Sequence, residues 1–239
     1  MSGSGALVLH GFTGTPRSVS GVSEALAGAG FAVEAPLLPG HGGAMDDLVA
    51  TGWPDWSAAV EDAYLDLVKR CISVVVFGLS LGGSLACWLA AGHKDVAGIV
   101  CVNPMIEPVA DSFVEMLDQL VASGFSSVPA FGSDIARPDV VEESLGGAPF
   151  VPMKSLFAGV AEMAPRLEDI ACPLLLFTSR KDHVVPPSSS DYLAARASGP
   201  VERVVLERSY HVATLDWDAP GIESRTVAFA RKVTATSAA

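Results

Sequence analysis

An α/β fold with a mostly parallel central sheet is what this 239-residue sequence predicts, and three observations predict it. Short apolar runs alternate with stretches of helical periodicity. The runs are almost continuously apolar, as strands covered on both faces should be. Half of the residues are hydrophobic and only 18% are charged, enough for one sizeable core in a chain of single-domain length.

The first apolar run, Ala6–Leu9, leads directly into His10-Gly11-Phe12-Thr13-Gly14. A helix over Val19–Ala29 and a strand over Phe31–Ala35 follow, then the turn Leu38-Pro39-Gly40-His41-Gly42. Pro54–Val68 reads as a helix, because Trp56, Val60, Ala63, Tyr64, Leu67 and Val68 share one face and Pro54 suits a first turn. Ser73–Phe77 is a strand, Leu81–Ala91 a helix and Val96–Val102 a strand. The alternation resumes late in the chain with a strand at Leu174–Thr178, a helix at Asp191–Ala197, a strand at Val201–Leu206 and a helix at Pro220–Val233.

Between Pro104 and Pro165 the pattern breaks. Gly124, Pro129, Gly132, Pro138, Gly146, Gly147, Pro149 and Pro152 interrupt it, and strand signals are weak. The stretch nevertheless holds five of the ten Phe (Phe113, Phe125, Phe131, Phe150, Phe157) and four of the six Met (Met105, Met116, Met153, Met163). That enrichment is too great for a solvated loop. Residues 1–104 and 166–239 are therefore expected to form the core, and 105–165 a small inserted cap over a pocket. Met105, Phe113 and Met116 are its candidate substrate contacts, since thioethers and aromatic rings adapt to varied apolar chains.

The balance of 15 basic against 27 acidic residues gives a net charge of −12. Such a field repels nucleic acid and anionic membranes, and no basic segment overrides it. No apolar stretch is long enough to span a bilayer, and the N-terminal residues have no positive region of a secretion signal. A cytoplasmic protein, monomeric or homodimeric, is expected. Cys71, Cys87, Cys101 and Cys172 show no CxxC spacing and read as free thiols. The five histidines show no paired ligand spacing, so neither a metal nor a cofactor is expected.

The chemistry is carried by Gly78-Leu79-Ser80-Leu81-Gly82-Gly83, a Gly-x-Ser-x-Gly motif between a strand and a helix. A serine on so sharp a turn has its hydroxyl clear of the backbone, and the flanking positions need almost no side chain. The hydroxyl is a weak nucleophile that needs a base held by an acid. Asp182 follows the strand at Leu174–Thr178, and His211 follows the strand at Val201–Leu206. Both lie beyond carboxyl ends of strands, where open α/β sheets place their sites. His183 is expected to be a loop residue, Asp216 and Asp218 to belong to the start of the last helix, and His41 to be a structural turn residue. The N–H groups of Phe12 and Leu81 are the candidate oxyanion donors.

Together these motifs resemble the α/β-hydrolase superfamily, and within it the small bacterial carboxylesterases and monoacylglycerol lipases. The resemblance spans nearly the whole chain apart from residues 105–165. It implies the α/β-hydrolase fold, with Ser80 as nucleophile, His211 as base, Asp182 as its orienter, and a small-molecule ester as substrate. Two departures stand out: the leading edge strands are short or missing, and the oxyanion loop lacks the glycine run of hormone-sensitive-lipase-like esterases. Two other readings stay open. The same triad could serve C–C bond hydrolysis, perhydrolysis or acyl transfer, and the fold could serve a non-catalytic binding protein.

Overall fold

The structure, a computed structural model, describes residues 3–129 and 133–236. Its elements in order are β1 (Ser4–Leu9), α1 (Ser20–Gly28), β2 (Ala32–Glu34), α2 (Met45–Val49), α3 (Trp53–Arg70), β3 (Ser73–Leu79), α4 (Leu81–Gly92) and β4 (Val96–Val102). Then come α5 (Asp111–Ala122), β5 (Ser127–Pro129), β6 (Gly147–Pro149), α6 (Phe150–Met163), β7 (Leu174–Ser179), α7 (Ser188–Ala194), β8 (Val201–Leu206) and α8 (Ala219–Thr236). Every strand and helix read from the sequence is present, with ends shifted by a few residues. Helix α7 is displaced at both ends, and it begins three residues early because Pro186 and Pro187 pre-set a helical start.

Six strands form one sheet in the order β2-β1-β3-β4-β7-β8, every neighbouring pair parallel. Successive side chains of β3 face opposite ways and feed two cores. Val74 and Val76 join the core covered by α3 and α4, while Val75, Phe77 and Leu79 join the one covered by α1 and α8. Helix α4 buries ten of its twelve residues, including Leu81, Leu85 and Leu89, so it is apolar nearly all round.

The register brings the strand ends level. Leu9 lies opposite Gly78, Leu79 opposite Val102, Val102 opposite Phe177, and Ser179 opposite Leu206. The chain runs from β1 outward to β2 and then returns to the other side of β1 with β3. The strand order therefore reverses between β1 and β3, which opens a crevice at their carboxyl ends. The loop at residues 10–14 and the turn at Ser80 flank that crevice.

One strand departs from its expected environment. β8 is an edge strand, with Glu202 and Arg203 exposed and Val205 49% exposed. Its charges pair outward, Arg203 with Asp191 at 2.6 Å and Glu202 with Arg225 at 3.7 Å, and such charges blunt an open sheet edge.

The segment at 105–165 divides in two. Its second half, α6, shares the core of the body: Leu156, Val160 and Met163 are buried with Trp53 and Trp56. Gly159 lets α6 approach α3, because a Cβ there would run into the Trp53 indole. Ser155 Oγ accepts the Trp53 N–H at 3.0 Å. The first half, α5, buries only Leu117. Phe113 and Met116 are 40% and 43% exposed, and Phe125 is exposed as well. Phe131 lies outside the described residues.

Candidate active site

The turn at Ser80 explains its own glycines. Ser80 has φ 53° and ψ −115°, a conformation that costs an L-residue on the order of 1–3 kcal/mol. A Cβ at Gly78 would overlap the Gly82 carbonyl group, and one at Gly82 would press into the Leu9 and His10 carbonyl oxygens. The motif is thus a steric requirement: the strand, the elbow and β1 leave no room for a methyl group. Ser80 N–H donates to Val102 O at 2.9 Å, tying the elbow to β4. Its residue is 9% exposed, at the start of α4. The N–H of Leu81, in the first turn, has no acceptor within the helix.

The loop after β1 lies directly against Ser80, since a Cβ at Gly11 would sit 3.5 Å from the Ser80 Cβ. Its orientation is set by His10, which is fully buried. His10 Nε2 accepts the Leu38 N–H at 3.1 Å, so Nδ1 carries the proton and donates to Gly11 O at 2.9 Å. Gly14 N–H donates to the same oxygen. With the Gly11 carbonyl held on that side, the trans peptide turns the Phe12 N–H the opposite way. Burial drives the His10 pKa down to about 4, so the ring stays neutral and keeps this tautomer.

His41 is the turn residue expected. It is buried, bonds Pro39 O through Nδ1 at 3.0 Å, and meets the rings of His10, Phe12 and Trp56 edge-on at 5.0, 6.2 and 5.6 Å.

At the other end of the crevice, His211 Nδ1 and Asp182 Oδ2 are 2.8 Å apart, with side chains 8% and 2% exposed. Asp182 Oδ1 accepts the Val184 and Val185 N–H groups, both at 2.8 Å, which leaves Oδ2 for the imidazole. Burial pushes the His211 imidazolium down. The Asp182 carboxylate, by its charge and its hydrogen bond, pushes it up, joined by Asp134 and Glu142, and the net shift is upward from 6.5. Ser80 and His211 form no direct hydrogen bond among the described residues. They are joined through β4, where Val102 O holds the Ser80 N–H and Asn103 Nδ2 donates to His211 O at 2.8 Å. Unliganded sites often tighten such contacts only when substrate binds.

Asn103 is one of the residues missed by sequence reasoning. It has φ 46°, bonds Ser179 through both amide atoms (Nδ2 to Oγ at 2.9 Å, and Oδ1 from N–H at 2.7 Å), and so stitches the end of β4 to β7 and the histidine loop. With Thr13 and Ser80 it makes up the non-glycine residues of positive φ among the described residues, and all three border the crevice. Strain of this kind gathers at functional sites.

The candidate residues lie at the ends of β1, β3, β7 and β8, and the profile of the alpha/beta hydrolase family matches residues 6–220. The chain belongs to the alpha/beta hydrolase family. The hydrolase is similar to the thermostable monoacylglycerol lipase of Bacillus sp. (strain H-257), 39% identical over 236 residues, covering 95% of this chain and 90% of that one. It is 31% identical to the carboxylesterase of Bacillus subtilis (strain 168), covering 88% and 85%. Among solved structures, the metagenome-derived lipolytic enzymes LipS and LipT provide a chain that aligns with TM-score 0.91 and 36% identity, covering 97% of the hydrolase and 94% of that chain.

Other acidic residues surround the hydrolase's crevice in roles that sequence reading misjudged or missed. Asp216 is not part of α8. It is 1% exposed and accepts N–H groups from Ala136, Arg137, Tyr210 and Trp217, so it organises the histidine loop. Asp218 caps the same loop through Arg208 N–H and Ser209 Oγ. Glu142 reaches back to the loop after β1, and a Cβ at Gly14 would lie 2.9 Å from its Oε1. Burial raises its pKa, partly offset by His211 and by Ser18. Met105 is half-buried against the core, with its carbonyl accepting Ser84 Oγ at 2.5 Å, and Phe113 meets Phe157 edge-on at 5.9 Å. No described contact ties Met105, Phe113 or Met116 to Ser80 or His211. Among the described residues no helix is long and apolar enough to cross a membrane.

Proposed function

We propose that this protein is a serine carboxylester hydrolase of the monoacylglycerol lipase and carboxylesterase type. The observation that carries this reading is the His211–Asp182 hydrogen bond, buried at the same sheet edge as the strained Ser80. Ser80 Oγ attacks the ester carbonyl while His211 Nε2 takes its proton. Asp182 holds the opposite nitrogen and stabilises the imidazolium. The N–H groups of Phe12 and Leu81 receive the oxyanion, the second reinforced by the positive end of α4. His211 then returns the proton to the leaving alcohol, and water activated by the same imidazole frees the acid. Ester hydrolysis is the chemistry named for both Bacillus relatives.

Residues 105–165 are read as a cap over the acyl chain, with Met105, Phe113 and Met116 as its apolar contacts. So small an insertion suits a single short to medium chain and favours monoacylglycerols over triacylglycerols. Replacement of Ser80 by Ala is expected to lower kcat by roughly 10⁴–10⁶-fold, with the fold intact by circular dichroism. A fluorophosphonate should label Ser80 alone. Activity of Ser80→Ala within tenfold of the parent overturns the reading.

A further inference from the structure

The loop carrying Asp182 and the loop carrying His211 are held by a third carboxylate, on a segment that contributes nothing to the triad. Asp134 Oδ2 accepts the His211 N–H at 3.0 Å and the His183 N–H at 3.1 Å. Its Oδ1 lies 2.7 Å from His183 Nδ1, and its own carbonyl accepts the Val212 N–H at 3.1 Å. The Asp134 side chain is 15% exposed, and the His183 ring above it meets Tyr210 edge-on at 4.6 Å. One carboxylate thus bonds the residue after Asp182 and the backbone of His211 itself. Resting on the reading of His211 as base, we propose that Asp134 is a positioning residue of the catalytic machinery: it locks the acid loop to the base loop and sets the charge around the imidazole from the inserted segment.

The geometry separates this role from ordinary loop anchoring. Asp216 anchors the same segment, taking the N–H groups of Ala136 and Arg137, yet its bonds on the histidine loop are to Tyr210 and Trp217 rather than to His211. The charged groups that bear on the His211 ring are Asp182 from the loop after β7, and Asp134 and Glu142 from the inserted segment. His183, paired to Asp134, adds positive charge only when protonated. Removing Asp134 therefore subtracts a negative charge that favours the imidazolium. In Asp134→Asn the oxygen shared by the His183 and His211 N–H groups also loses its charge, which weakens both hydrogen bonds.

The test is the pH profile of kcat/KM for Asp134→Asn beside Asp216→Asn, on an aryl ester, with fluorophosphonate labelling of both. Asp134→Asn should lower kcat roughly tenfold, leave KM within about twofold, and move the midpoint of the profile down by roughly half a unit. Asp216→Asn should lose thermal stability while keeping the parent's midpoint. Asp134→Glu, which retains the charge but not the geometry, should keep the midpoint and lose kcat, and it serves if Asp134→Asn cannot be folded. An unchanged kcat and midpoint in Asp134→Asn, or a midpoint that moves equally in Asp134→Glu, overturns the proposal. If the parent is not labelled at Ser80, the catalytic reading itself has failed. If it is labelled and Asp134→Asn matches the parent in kcat and midpoint, the positioning role alone is lost.

Discussion

His211 and His10 are both buried imidazoles, and their surroundings push them in opposite directions. His211, the proposed base, lies among Asp182, Asp134 and Glu142 and is held above its ordinary 6.5, whereas His10 has only backbone hydrogen-bond partners and burial takes it to about 4. Since only neutral His211 can accept the Ser80 proton, kcat/KM should rise with pH about a midpoint above 6.5. A midpoint below 6.5, with chemistry rate-limiting, would falsify the assignment of these neighbours. Its raised pKa also means that His211 stabilises the fold fully below 6.5, and that this contribution disappears as pH climbs through the folded value. The enzyme therefore gains activity over the same interval in which it gives up some stability. Asp182→Asn should leave Ser80 labelable but slow, with kcat down by about 10⁴-fold, because the imidazole loses the acceptor that fixes its tautomer. The proposed triad, Ser80, Asp182 and His211, can be put forward from the sequence because each follows an apolar strand in the order expected of the fold. Asp134, Asn103 and Asp216 cannot. Each has partners 76 or more residues away in the chain, and no local pattern marks a carboxylate or amide that bonds to a distant turn.

The elements read most readily are those whose neighbours are near in sequence: β3, α4 and β4 declare themselves by apolar content, by Gly78 and Gly82, and by length. β8 was harder to place, because VERVVL carries as many apolar residues as a covered strand, and only the sheet order reveals which one lies at the edge. Residues 105–165 show the same limit. Their Phe and Met content marks a packed unit, but not that α6 belongs to the body while α5 stands off. This difference predicts distinct responses. Gly159→Ala forces a methyl group into the Trp53 indole and should cost about 1–3 kcal/mol, read as a lower thermal midpoint. Phe113→Ala on α5 removes a ring that is 40% exposed and should change stability little. If α5 does cover the acyl chain, the same variant should shift the acyl length at which kcat/KM peaks, since each buried methylene contributes up to about 0.8 kcal/mol. An identical peak for parent and variant would remove Phe113 from the pocket.

At the scale of the whole molecule, acid should act on the fold through its buried neutral histidines. A His10 that titrates at 6.5 when unfolded and at about 4 when folded stabilises the protein fully above 6.5. That contribution, on the order of 3 kcal/mol, is lost as pH falls from 6.5 towards 4. His41, also lowered by burial, adds to the same slope. His10→Gln should therefore be less stable than the parent at pH 7 but lose less of its thermal midpoint between pH 6.5 and 4.5; parallel curves would sink the explanation. The position of β8 has another consequence. It is paired on one side only, to β7, with its outward residues in water, and the loop after it carries His211, the proposed base. Ser80, by contrast, emerges from a strand enclosed between β1 and β4. The proposed nucleophile and base thus follow strands of expected unequal local stability, and the outermost strand can fray while the interior of the sheet persists. Amides of β8 should exchange with deuterium faster than those of β3, and in rising urea ester hydrolysis should vanish before the signal of the buried core. The rim of the sheet is expected to peel, and hydrolysis to stop with it, before the centre melts.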